Sequence, residues 1–73
     1  MKIKVAAIFD KGQILPRWFV WEGRKYDVQS INYIWDDRNG EEKITYFAVS
    51  CGGNCYELAY HTGQMVWRLG KVA

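Results

Sequence analysis

Proline occurs once in this chain, histidine once and cysteine twice, and leucine and alanine together supply only eight of 73 residues. Each scarcity excludes something. Without the usual helix formers, and with Ile, Val, Thr and the aromatics making up 26 residues, the composition favours strands. There is no internal repeat, low-complexity stretch or linker. The longest uncharged run, Ile44 to Tyr56, is broken by Gly52-Gly53 and is short of the ~20 residues a bilayer needs. The first residues reach Asp10 too soon to hold a signal-peptide apolar region, so the chain is expected to be cytoplasmic, with reduced thiols. Neither sign of charge dominates: ten Lys and Arg stand against eight Asp and Glu, with no basic run to demand a polyanion.

Aromatics are abundant. Four Trp, five Tyr and three Phe bring large areas to bury, and the length suits one small β domain over residues 1–73. Glycines at 12, 23, 40, 52, 53 and 63 are spaced as turns between short strands. Each turn predicts a register, and the register predicts faces. A turn at Gly23-Arg24 would set Trp21 opposite Tyr26 and Phe19 opposite Val28. A turn at Gly52-Gly53 sets Val49 against Tyr56 and Phe47 against Leu58. A turn at Thr62-Gly63 sets Tyr60 against Met65, Leu58 against Trp67 and Tyr56 against Leu69, and pairs Glu57 with Arg68. A three-residue loop at Lys11 to Gln13 sets Val5 on Phe19 and Ile3 on Trp21, with Ile3, Val5, Ala7 and Phe9 inward. Pro16 implies an edge position or a bulge.

These turns agree on one apolar face. The Asn39-Gly40 turn does not: it aligns Trp35 with Ile44, Tyr33 with Tyr46 and Ile31 with Ala48 on the opposite side. A bulge near Gln29-Ser30 would bring Ile31, Tyr33 and Trp35 inward, and residues 28–35 also fit a helical period. The resulting expectation is all-β: a six-stranded antiparallel meander, its twisted sheet curled into an SH3-like or OB-like barrel.

Catalytic chemistry finds little support. The C-x3-C spacing of Cys51 and Cys55 sends one side chain to each face across a two-residue turn, which favours two free thiols. With His61 these cysteines lack the ligand pairs of a zinc site. His61 reads as an exposed turn histidine. Asp36-Asp37 and Glu41-Glu42 read as solvated carboxylates at a hairpin tip, with Asp36 opposite Lys43. No phosphate loop or dinucleotide fingerprint is present. No catalytic residue, metal ligand or cofactor is expected.

The aromatics outside the inner face remain. Trp18, Ile31, Tyr33, Trp35, Ile44 and Tyr46, flanked by Arg17, Lys25, Lys43 and Arg68, form a candidate partner-binding set. The expected occupant is a protein partner or a second copy of the chain, with weak single-stranded nucleic-acid binding as the alternative.

The string P-R-W-F-V-W-E-G-R-K-Y-D-V from Pro16 to Val28, followed by Trp35, resembles a family of short uncharacterised bacterial proteins. Their shared core reads P-x-x-F-x-W-x-G-x-x-Y-x-V, matched here by Pro16, Phe19, Trp21, Gly23, Tyr26 and Val28. The resemblance covers only Pro16 to Trp35. It implies no activity and no catalytic residue. An association of some members with translesion polymerase genes tilts it toward nucleic acid.

Overall fold

Alternating apolar residues between glycine turns do build an antiparallel sheet. The structure, a computed structural model, describes the backbone of residues 2–72 and the side chains of residues 2–70. Seven strands follow in chain order: β1 (Lys2–Asp10), β2 (Gln13–Trp21), β3 (Arg24–Asp27), β4 (Ser30–Asn39), β5 (Glu42–Cys51), β6 (Asn54–His61) and β7 (Val66–Val72). They form one sheet in the order β3-β2-β1-β7-β6-β5-β4, with every neighbouring pair antiparallel. Residues 28–35, with their helical period, are extended throughout or part of a short link.

The expected third strand is divided into β3 and β4, which makes seven strands where six were expected. Both run in the same direction, so the chain crosses from one end of the sheet to the other within Val28-Gln29. Backbone bonds hold that crossing on both sides: Val28 N–H donates to Arg17 O and Gln29 N–H to Ser50 O, each at 2.9 Å. The sheet therefore curls into a half-barrel, and the crossing ties its two ends together.

Three of the five turns lie where a two-residue slip of the expected pairing puts them. Glu22 and Gly23 are the central residues of the β2–β3 turn, with φ of +52° and +75°, the double positive φ that a type I′ turn requires. Phe19 thus faces Tyr26, and Trp21 faces Arg24. Gly40, with φ +67°, is the first rather than the second residue of the β4–β5 turn, so Trp35 faces Tyr46 and not Ile44. Between β6 and β7 the loop takes four residues, and Tyr60 faces Trp67. That loop is anchored to β5 through Thr62, whose N–H and Oγ1 both donate to Lys43 O. Because the pleat has a period of two, a two-residue slip changes partners and leaves faces unchanged.

The other two turns keep the expected pairing. Gly52-Gly53 sets Val49 against Tyr56 and Phe47 against Leu58. The β1–β2 loop is one residue shorter than expected, yet Val5 still meets Phe19, because Ala6 faces Trp18 and Ala7 faces Pro16. Arg17 is left as a bulge residue beside Pro16, whose missing N–H a regular ladder does not tolerate.

The inner face is accordingly the expected one. Phe19, Phe47, Val49, Cys51, Tyr56, Leu58, Trp67 and Leu69 are buried together, with Ile3, Val5, Ala7, Trp21, Tyr26, Val28 and Tyr60 packed against them. Phe19 stacks on Tyr26 at 5.1 Å and meets Tyr56 edge-on at 5.4 Å. Two residues assigned inward are not there: Phe9 is 82% exposed at a hairpin tip that overshoots the core, and Met65 is 77% exposed in the four-residue loop. The longer loop also moves Arg68 opposite Ala59, so the Glu57–Arg68 pair does not form.

Candidate interaction surface

The outer face of the β4–β5 hairpin is decided by one bulge. Ile31 faces Val49 and Tyr33 faces Ala48, which leaves Asn32 as the extra residue. Ile31 is thereby turned inward and packs against the core. Tyr33 and Trp35, beyond the bulge, stay on the outer side. The bulge thus lies two residues later than the Gln29-Ser30 position considered from sequence, and it moves one side chain instead of three.

Trp35 and Tyr46, directly opposite on neighbouring strands, stack at 5.2 Å with an interplanar angle of 12°. Trp35 remains 41% exposed and Tyr33 73% exposed. Across from Tyr33 stands Ala48, too small to cover a ring. Ile44 departs from the candidate surface, since it is only 5% exposed, between Asp37 on β4 and His61 on β6. Of six apolar candidates, the structure brings Tyr33, Trp35 and Tyr46 together as a contiguous aromatic surface.

Trp18 lies elsewhere, on the outer side of β2 near the opposite end of the sheet. It is half-buried, with Lys25 Nζ 5.0 Å from its ring centroid, a cation–π contact. Lys25 also reaches Asp27 at 3.6 Å. The remaining cations are equally scattered. Arg17 sits in the β2 bulge, and Arg68 is on the outer face of β7, opposite Lys2. Lys43, which faces Arg38 across the ladder, points to the inner side, where its Nζ is 3.7 Å from Asp36. Asp36 also accepts the Thr45 hydroxyl at 2.9 Å.

The outer faces of β4, β5 and β6 therefore carry Asp37, Glu42 and Glu57 beside the aromatics, and no Lys or Arg. Sequence reasoning missed this division, although the alternation Tyr33, Trp35, Asp37 contained it. His61 is also not the free turn residue expected. It is mostly buried, and its Nδ1 lies 3.1 Å from Glu42 Oε1, so Glu42 is partnered and not simply solvated.

Cys51 and Cys55 are both free thiols, the first buried and the second exposed, in line with the two-residue turn between them. Burial pushes the Cys51 thiol pKa above its ordinary 9.0, and the Asp27 carboxylate adds to the rise. Cys51 borders a shallow open depression with Arg24, Tyr26, Asp27, Gln29 and Tyr56. No group of three or more His, Cys, Asp or Glu among the described residues could hold a metal ion, and these residues form no helix long and apolar enough to cross a membrane. Comparisons with protein-family models, curated proteins and solved structures give no match.

Proposed function

We propose that this chain is a noncatalytic interaction module that receives a protein partner or a second copy of itself on Tyr33, Trp35 and Tyr46. The observation that carries the reading is the stacked Trp35–Tyr46 pair, left 41% open at Trp35 beside a largely bare Tyr33. Stacking holds the rings in one orientation, so little side-chain entropy remains to be lost on binding, and aromatic side chains dominate the energetics of protein interfaces. The cytoplasmic setting expected from sequence belongs to the same proposal, with Cys51 and Cys55 kept as thiols.

Charge separates this reading from nucleic-acid binding. Bases stack on aromatics only where cations accompany the phosphates. Here Asp37 shares the face of Trp35, while Arg17, Lys25 and Arg68 lie on other strands. Tryptophan fluorescence unchanged by an oligonucleotide at low salt is the expected result.

Sedimentation across a wide concentration range, combined with a photocrosslinker in place of Tyr33, tests the proposal. A discrete adduct to a second copy or to one other protein, lost in Trp35→Ser, supports it. A concentration-independent monomer that yields no such adduct overturns it.

A further inference from the structure

The segment that forms β1 to β3 and the segment that forms β4 to β6 differ in charge. Residues 2–27 hold six Lys and Arg against three Asp and Glu, whereas residues 30–61 hold two against five. The two cations of residues 30–61, Arg38 and Lys43, face each other on the inner side. The carboxylates of the outer side are not equally available. Glu42 is engaged by His61 at 3.1 Å and Gln64 at 3.4 Å. Glu57 lies over Gly70, where an added Cβ would come 2.5 Å from its Oε2. Asp37 accepts the Arg38 backbone N–H at 2.8 Å and has no cation within ion-pair distance among the described residues. It is on the same face as Trp35, one pleat period farther along β4.

β4 is also the terminal strand of the sheet, and all its residues except Ile31 are exposed. An edge strand presents a row of unpaired backbone groups that can template another strand. Tyr46 covers the Trp35 ring from the β5 side, which leaves the other face of the indole toward this free edge. A residue of an added strand directly across from Trp35 would have its Cβ about 5 Å away, within reach of that face.

The acidic part of the edge disfavours a second copy paired through it. Antiparallel pairing of two β4 strands centred on Asp36 or on Asp37 sets that one carboxylate against its own copy, which is destabilising, and the Asn32 bulge interrupts the ladder in the other half. A strand bearing Lys or Arg turns the same carboxylates into partners and offers Trp35 a cation.

We propose, building on the interaction reading above, that β4 receives an extended cationic segment of a protein partner, with a Lys or Arg side chain between Trp35 and Asp37. The partner adds as a strand, and the aromatic and acidic outer face selects its charge.

Fluorescence anisotropy of two labelled peptides tests this: one alternates Arg with Thr along the length of β4, and its twin has Glu for Arg. The Arg peptide binds at least about tenfold more tightly than the Glu peptide, and weakens as salt rises toward about 0.3 M. Asp37→Lys reverses the preference. Trp35→Ala weakens the Arg peptide about tenfold while circular dichroism shows an intact fold. Glu22→Gln, in the β2–β3 turn beside the opposite terminal strand, changes nothing. Bound Arg peptide also slows hydrogen exchange at β4 amides. Equal binding of the two peptides, or Arg-peptide binding unmoved by Asp37→Lys, overturns the inference. If the Tyr33 crosslinker still forms a Trp35-dependent adduct in that case, the interaction reading stands without the cationic strand. If no adduct forms either, both readings fall.

Discussion

The two ends of this sheet each put a tryptophan on the outer surface, and they treat it differently. At the β2–β3 end Trp18 is half-buried, Lys25 lies over its ring, and Lys25 is itself held near Asp27. At the β4–β5 end Trp35 is backed by Tyr46 on one side and is otherwise open, with a bare Tyr33 and Asp37 on the same face. An outward aromatic is therefore not in itself a contact surface. Its cross-strand neighbour decides: a long amphipathic Lys opposite Val20 reaches across to cover Trp18, whereas Ala48 opposite Tyr33 covers nothing.

The contrast should vanish on the inner face, where the largest effects lie. Phe19→Ala and Phe47→Ala remove fully buried rings from opposite ends of the sheet, and each should cost about 3–5 kcal/mol in urea denaturation. A much smaller loss at either position would mean that the half-barrel shares less of its core between the two ends. On the outer face, Trp18→Ala and Trp35→Ala should each cost only about 1 kcal/mol, yet only Trp35→Ala should abolish the crosslinked adduct at Tyr33. Adduct loss in Trp18→Ala would erase the distinction between the ends. Smaller still, Lys25→Ala should lower stability by less than about 1 kcal/mol and raise the quantum yield or solvent accessibility of Trp18 in quenching experiments.

The thiols give the finest comparison. Cys55 should react with a thiol reagent in the folded protein, while Cys51 should wait for unfolding. The folded pKa of Cys51 is raised by burial and by Asp27. The unfolded chain therefore loses this proton first, and the stability linked to Cys51 is fully present below pH 9.0 and declines as pH rises above it. Cys51→Ala should remove that alkaline decline in urea midpoints, whereas Cys55→Ala should leave it.

Much of the fold was legible because apolar alternation survives errors in turn placement. Moving the Gly23 turn, the Gly40 turn and the Gly63 loop changed which residues face each other, but Phe19, Phe47, Leu58, Trp67 and Leu69 kept their side. Phe9 and Met65 were misassigned because alternation says nothing about where a strand outruns the core. Less of the candidate surface was legible. Ile31 and Ile44 were placed on it with Tyr33, Trp35 and Tyr46, and a bulge at Asn32 and a crowded cross-strand position removed them. The cations expected to flank the aromatics lie elsewhere: Arg17, Lys25 and Arg68 are on other strands and Lys43 points to the inner side, positions that only the curl of the sheet determines.

Local chemistry alone determined the strands, the turn regions, the inner face and the separation of Cys51 from Cys55, because each follows from backbone sterics and the two-residue pleat. The tertiary structure decided where the third strand breaks, which ring stacks on which, and that Asp37 rather than a cation accompanies Trp35. Those outcomes depend on bulges and on the closure of the sheet, where a displacement of one residue reverses a face and no local preference fixes its position.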